Sequence, residues 1–391
     1  MRKIAIAWLC IIVIIWASQS SCKKNSASQD LIEDSAKIDF NEVFDKFWNG
    51  MNENYLYWDI DTTNWDAVYL RYKPLFSKLN INNTNDEQTS LGYFKEMTYG
   101  LTDGHFQLFF SRGILQNTSF YPAFQRKQGR PDFHLPFNYS AIDTQYFDKG
   151  YLTAYDSLTH PDQAPLKVTF ATIHQDILFF SCSGFYLSDA YQSSNGNGVT
   201  PVLDSFFSEL AGKGQNIKGL ILDVRNNFGG NLSDLNFLVG RLIDKPLNFG
   251  YSRYKSGTGR LDLTPWIGAD VSPQKQGIDV ACPIIVLADA FTVSMGEMTT
   301  MAIAALPNGI VVGETSWGAT GPLASNDLFN KGELTIPGFM TVYMSSAAFK
   351  YIDNKTYEGM GFPPDFPVPF DIQAVSSGKD LPMEKAIQLI H

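Results

Sequence analysis

Cysteine, histidine and positive charge are scarce in this chain of 391 residues. Its four cysteines and five histidines do not recur at the spacings of a metal site. Lysine and arginine number 30 against 40 acidic residues, so the net charge is −10. This balance argues against a general nucleic-acid binder. We therefore expect no metal, no cofactor and no nucleic-acid partner.

Long apolar runs are also few, and the one at the start resembles a targeting signal. Arg2 and Lys3 precede an apolar stretch at 4–17, which is short for a membrane span, and small or polar residues then lead to Cys22. This order is typical of a bacterial lipoprotein signal, although Gln19 departs from the usual leucine-rich box. An ordinary signal peptide with an incidental cysteine is the alternative.

The lipoprotein interpretation divides the start of the chain into a signal at 1–22 and a flexible polar tether at 23–37. Cys22 would carry the lipids and bind the protein to a membrane. We then expect a protein of the bacterial cell envelope, on the outer membrane and facing the periplasm. Cys182 and Cys282 lie in apolar segments and are expected to be buried thiols, with a disulfide between them left open.

The chain as a whole is rich in apolar residues (44%) and aromatic residues (14%), which predicts a substantial core. Residues 38–105 keep a helical apolar period and predict an N-terminal helical domain. Residues 106–165 lack a clean period and are interpreted as an irregular insert. From 166 to 391 strands alternate with helices, so the fold class is α/β.

Two blocks in this α/β region carry the chemistry. They read GLILDVRNNFGGN at 219–231 and PIIVLADAFTVSMGE at 283–297. Each is an apolar run that ends in small or polar residues, as expected of a buried parallel strand that leads into a loop at the sheet edge. One loop offers Gly229 and Gly230, and the other offers Ser294 followed by Met295. Backbone donors beside a hydroxyl group are the parts needed for acyl transfer.

With three further motifs, the sequence resembles the C-terminal processing peptidase family of serine peptidases, which includes the tricorn protease core. The motifs are LTDGH at 101–105, LDVRNNFGG at 222–230, TVSMGE at 292–297, IVVGETSWGATG at 310–321 and YEGMGFPPDFPV at 357–368. The resemblance implies a crotonase-like (ClpP-like) core of ββα units over 166–391. Many relatives carry a PDZ domain, but residues 111–165 are too short for a complete one.

The resemblance also implies the roles of the site residues. Ser294 would be the nucleophile, His105 the general base and Glu358 the acid that orients the base, and Gly229, Gly230 and Met295 would supply the oxyanion hole. Each assignment has a plainer alternative. A serine before a helix is often only an N-cap, a histidine after Asp-Gly can belong to a turn, and a loop glutamate can be simply solvated.

Two positions decide between the catalytic branches of the family. Ala319 stands where the Ser-Lys branch has its lysine, and the next lysine along the chain is Lys331. The tricorn-like branch is therefore favoured, although Gly104 stands where the tricorn core has a serine. The leading hypothesis is a serine endopeptidase acting on peptides or unfolded proteins. A catalytically degraded relative that binds a peptide or small ligand is the alternative, and an acyl-CoA enzyme of the same fold is disfavoured.

Overall fold

The computed structural model describes residues 38–213, 216–323 and 332–391. The predicted signal, Cys22, the tether and Lys331 lie outside these residues. No helix within the described ranges is long and apolar enough to cross a membrane.

The N-terminal region consists of three helices, α1 (Phe40–Asn54), α2 (Trp65–Phe76) and α3 (Thr84–Thr98). Each begins after a residue whose side chain accepts hydrogen bonds from free amides of the first turn: Asp39, Asn64 and Asn83. Their apolar faces form a largely aromatic core with residues of β-strands that lie at 107–120 and at 333–351.

The segment that the sequence leaves without a period contains several short elements. They are β1 (Gln107–Phe110), β2 (Ser119–Phe120), α4 (Pro122–Gln128), α5 (Ser140–Asp143) and β3 (Leu152–Asp156). The first two strands pair with each other, whereas β3 joins a different sheet. The segment is thus shared between two parts of the molecule and does not form a PDZ domain.

The rest of the chain alternates strands and helices. Its first half contains β4 (Leu166–Ile173), β5 (Ile177–Cys182), α6 (Leu187–Gln192), α7 (Val199–Lys213), β6 (Gly219–Asp223), α8 (Ser233–Leu238), β7 (Leu247–Tyr254) and β8 (Ile267–Val271). Its second half contains β9 (Ile284–Ala288), α9 (Met295–Ala304), β10 (Gly309–Gly313), β11 (Glu333–Ile336), β12 (Met340–Tyr343), β13 (Ala347–Tyr351), β14 (Phe366–Pro367), α10 (Ile372–Ser376) and α11 (Leu381–Ile390).

Within the described residues the strands form three sheets. The central sheet has the order β14-β10-β9-β6-β5-β4-β3 and is parallel from β14 to β5. A second sheet, β11-β12-β1-β2, packs with the N-terminal helices, and β13-β7-β8 forms the third. The parallel register places the carboxyl ends of β6 and β9 at one edge, as the two sequence blocks predict.

Strands β6 and β9 are buried on both faces, which explains their continuous apolar runs. Leu220 and Leu222 face a large core with α7 and α9, whereas Ile221 faces a smaller core with α11. The predicted mixed α/β architecture with a helical N-terminal region is confirmed. Cys182 is buried, Cys282 is half-buried, and both are free thiols.

Candidate active site

Ser294 lies at the turn between β9 and α9, in an uncommon backbone conformation. Its φ is +56°, in the left-handed region that residues other than glycine seldom adopt. The residue occupies the N-cap position of α9, and its amide donates a hydrogen bond to Glu297 Oε2 at 3.0 Å. The side chain is half-buried. The turn thus holds a hydroxyl group at the positive end of a helix, where negative charge is favoured.

Gly229, in the loop after β6, is in direct contact with this serine. Its φ is +98°, and a Cβ atom there would lie 2.7 Å from Ser294 Cβ and 3.1 Å from Ser294 Oγ. Only glycine fits between the two loops. The Gly229 amide donates to Asn227 Oδ1 at 2.9 Å. Of the three predicted oxyanion-hole donors, this leaves the amides of Gly230 and Met295 for a substrate oxygen.

Glu297 connects the serine turn to the loop at 316–321. Its Oε1 accepts hydrogen bonds from Ser316 Oγ and the Gly318 amide, both at 2.6 Å. Its Oε2 accepts from the Ala319 amide at 2.8 Å as well as from Ser294. Burial raises the pKa of this carboxyl group, and these hydrogen bonds oppose the rise. Glu297 therefore has a structural role: it positions the serine turn and the loop at 316–321 relative to each other.

The loop at 316–321 in turn packs on Gly104. A Cβ atom on Gly104 would lie 2.1 Å from the Gly318 carbonyl oxygen. The Gly104 carbonyl accepts hydrogen bonds from Tyr121 Oη at 2.6 Å and from Trp317 Nε1 at 3.5 Å. This packing explains why glycine stands where the tricorn core has a serine. The loop also contains Ala319, which is fully buried. This alanine stands at the position where the Ser-Lys branch has its catalytic lysine.

His105 is buried, with 7% of its surface exposed. Its amide donates to Asp103 Oδ1 at 2.8 Å, and its Nδ1 atom has no hydrogen-bond partner within the described part of the chain. Burial lowers the pKa of the His105 imidazole to about 4, while the Gly321 backbone acts in the opposite direction. The ring is therefore neutral at pH 7, which is the state that a general base requires.

Glu358 lies beside His105, as the motifs imply. A ring nitrogen of His105, a carboxylate oxygen of Glu358 and one of Asp103 all lie within 4.8 Å of one another. Glu358 accepts four hydrogen bonds, from the amides of Gly104, Thr320 and Gly321 and from the Thr320 hydroxyl group. Burial and the charge of Asp103 raise the pKa of Glu358 to about 8, and the hydrogen bonds from Gly104 and Thr320 oppose this rise because they favour the ionised carboxylate.

Asp103 is the functional candidate that the sequence did not identify, because an aspartate before glycine is typical of a turn. It is fully buried and accepts hydrogen bonds from the His105 amide and from the Ser345 amide and hydroxyl group. Burial raises the pKa of Asp103. Two carboxyl groups thus flank the histidine, and the sequence named only one of them.

Three such ligand atoms are close enough to hold a divalent cation between them. The hydrogen bonds argue for another use. Three donors face Asp103 and four face Glu358. These donors already satisfy the carboxylate oxygens that a cation would need. The arrangement therefore fits a histidine flanked by two hydrogen-bonded carboxyl groups better than a metal centre.

The site therefore has a serine half and a histidine half. The structure brings Ser294 to Gly229 and His105 to Glu358. The loop at 316–321 donates directly to Glu358 and reaches the serine turn through Glu297. No direct hydrogen bond joins Ser294 and His105 in the described structure. Such bonds are often long or absent before substrate binds.

Two family models match the chain. Residues 189–368 match peptidase family S41, and residues 37–84 match the C1 domain of tricorn protease. These matches confirm the resemblance predicted from the motifs. That family implies a serine-type hydrolase with peptide or protein substrates.

The structure is similar to that of a protein from Parabacteroides merdae ATCC 43184 that is described as a peptidase. The two are 22% identical, with a TM-score of 0.68 over 90% of this chain and 97% of that chain. The tricorn protease is 16% identical, with a TM-score of 0.48 over 90% of this chain and 36% of that one. Only the first likeness is strong enough to bear on the fold. Comparison with curated protein sequences finds no match.

Proposed function

We propose that this protein is a serine endopeptidase in which Ser294 is the nucleophile, His105 the general base and Glu358 the acid that orients the base. Its substrates are peptides or unfolded proteins. The observation that carries the proposal is the contact between Ser294 and Gly229. A serine in a strained turn at a helix N-terminus, packed so closely on Gly229 that a Cβ atom there would lie 3.1 Å from its hydroxyl oxygen, is arranged for attack on a carbonyl carbon.

The proposed reaction begins when neutral His105 takes the proton of the Ser294 hydroxyl group as its oxygen attacks the substrate carbonyl. The amides of Met295 and Gly230 would then stabilise the oxyanion, each contributing about 3–4 kcal/mol by analogy with comparable sites. His105 returns the proton to the leaving amine. Glu358, and with it Asp103, stabilises the imidazolium that forms in between.

The proposed location is the bacterial cell envelope, on the outer membrane facing the periplasm. The apolar start of the chain followed by Cys22 supports a lipid anchor. Palmitate labelling of the full chain and of Cys22→Ala tests this part of the proposal. Label in both variants, or in neither, would contradict it.

A fluorophosphonate probe tests the nucleophile directly. We expect one adduct by intact mass on residues 23–391, located at Ser294 by peptide mapping, and no adduct on Ser294→Ala. Circular dichroism should show the same fold for both proteins. An adduct on another serine, or none on the folded parent protein in the presence of a casein substrate, would contradict the proposal.

One observation favours the second candidate, a catalytically degraded relative that binds a peptide or small ligand. The Glu358 oxygens already accept four hydrogen bonds, while His105 Nδ1 has no partner among the described residues. If this candidate is correct, the folded protein binds casein peptides in calorimetry but neither cleaves them nor reacts with the probe.

A further inference from the structure

Lys127, at the end of α4, is a half-buried cation without an anionic partner among the described residues. Its neighbours in the segment are engaged. Arg126 donates to the Tyr99 carbonyl oxygen, and Arg130 forms a salt bridge with Asp132 at 2.8 Å. A partly desolvated ammonium group without a counterion is unfavourable. In a chain with a net charge of −10, this lysine is unusual.

The Lys127 ammonium group lies over the ring of Trp317, 4.9 Å from its centroid. That ring also contacts Tyr121, Phe124 and Phe291. A cation over an indole ring is stabilised by the ring quadrupole, but it keeps its capacity to bind an anion. The side chain is thus held in place by aromatic contacts rather than by an ion pair.

Trp317 connects this lysine to the serine turn. Its amide donates to the Thr292 carbonyl oxygen at 2.9 Å, two residues before Ser294. The next residue, Gly318, donates to Glu297, which also accepts the hydrogen bond of the Ser294 amide. Hydrogen bonds therefore connect the residue beneath the ammonium group and the one after it to Thr292 and Glu297, on either side of Ser294.

Nearby carboxylates do not satisfy Lys127. Glu297 exerts the strongest attraction on it, but this group already accepts four hydrogen bonds and lies beyond ion-pair distance. Asp132 is bound by Arg130, and the charges of Arg126 and Arg130 repel the ammonium group. Burial lowers the pKa of Lys127 to about 8, so the group is mostly charged at pH 7.

We propose that Lys127 binds a carboxylate of the substrate beside Ser294, supplied either by an acidic side chain or by the C-terminus of the peptide. The proposal rests on the proposed peptidase function. It makes Lys127 a determinant of specificity. It also gives α4, which lies in the segment interpreted from sequence as an irregular insert, a role in substrate selection. Charge-assisted contacts in a partly desolvated site discriminate by roughly tenfold or more.

The test uses a fluorogenic peptide series in which Asp or Lys replaces Asn at each position around the cleaved bond, each peptide with a free or an amidated C-terminus. We expect the parent protein to prefer one carboxylate-bearing form roughly tenfold in kcat/KM. Lys127→Gln should reduce that ratio to near one. Lys127→Glu should shift the preference towards lysine at the same position, an outcome that unfolding would not produce.

Arg130→Gln is the matched control, because it removes the same charge from the same segment while Arg130 is exposed and already paired. It should keep the parent's ratio. A preference for Asp over Asn identifies a side-chain carboxylate, and a preference for the free C-terminus identifies a terminal one. A parent protein that reacts with the fluorophosphonate at Ser294 but shows neither preference overturns this proposal alone. A parent protein that does not react at all overturns the proposed function instead.

Discussion

The serine half and the histidine half of the site are built over very different distances along the chain. Ser294 is held by a residue three positions away and by one neighbouring loop. The histidine half depends on Glu358 accepting from the Gly104 amide across 254 positions and on Asp103 accepting from Ser345 across 242. The nucleophile is therefore a local feature of one strand-to-helix turn, whereas the base is assembled by tertiary structure.

The largest effect on activity is expected when either half of the site loses its central side chain. We expect His105→Ala to lower kcat/KM for casein-derived peptides by about 10³-fold, as general-base removal does elsewhere, and Ser294→Ala to lower it at least as far. Both variants should melt as the parent protein does. His174→Ala is the control, since His174 is exposed in the turn between β4 and β5 and contacts His391. An equal loss of kcat/KM in the control variant would contradict the assignment of His105 as the base.

A change in the serine half should act through geometry alone. Gly229→Ala adds a Cβ atom 2.7 Å from Ser294 Cβ at a φ of +98°. We expect a loss of about 100-fold in the rate of fluorophosphonate labelling and about 1–3 kcal/mol in the free energy of unfolding. Gly92→Ala, in α3 with open space around it, should instead stabilise by about 0.5–1 kcal/mol. A fully active Gly229→Ala would contradict the described contact.

The two carboxyl groups beside His105 can be separated by isosteric substitution. Glu358→Gln should lower kcat about 10- to 100-fold, because the imidazolium loses its anionic partner while an amide meets donors already aimed at Glu358. Asp103→Asn should lower kcat by a smaller factor if Asp103 mainly fixes the backbone through Ser345. A greater loss of kcat in Asp103→Asn would assign the orienting role to Asp103.

The pH dependence should report the buried histidine. The pKa of His105 is lowered to about 4, so the folded protein keeps the neutral base well below pH 6.5. The labelling rate at Ser294 should therefore fall on the acid side with an apparent pKa clearly under 6.5. Between pH 6.5 and 4 the unfolded chain binds the extra proton, so the contribution of His105 to stability falls as pH falls and is absent in His105→Gln, whereas the raised pKa values of Asp103 and Glu358 act in the opposite direction. An acid limb at 6.5 or above would contradict burial of the ring.

The smallest effect is expected from the lysine of the disfavoured branch. Lys331→Ala should change kcat/KM by less than about twofold. This residue lies outside the described structure, so the prediction rests on the buried Ala319 and on the sequence. Damage as severe as that of Ser294→Ala would show that a Ser-Lys pair acts here.

The strand-to-helix turn that carries Ser294, and the glycine loop beside it, could be placed from the sequence because the information for them is short-range. The apolar runs of β6 and β9, the glycine pair and Ser294 followed by Glu297 occupy two continuous blocks. The histidine half was predicted only through the family resemblance, since nothing local to Asp103 distinguishes a turn aspartate from a buried one. The contact of Gly104 with Gly318, and the place of Lys127 over Trp317, depend on how distant segments meet. No periodicity carries that information.

The hydrogen bond between the Gly104 amide and Glu358 also sets an order of events. As the chain is synthesised or exported from its N-terminus, His105 emerges early, Ser294 follows, and Glu358 arrives near the end. Until the segment around Glu358 docks, the histidine half lacks one of its two carboxyl groups and has only Asp103. Completion of the fold would thereby act as a safeguard, since a protease that matures only when its final residues are in place is harmless while it is still being made.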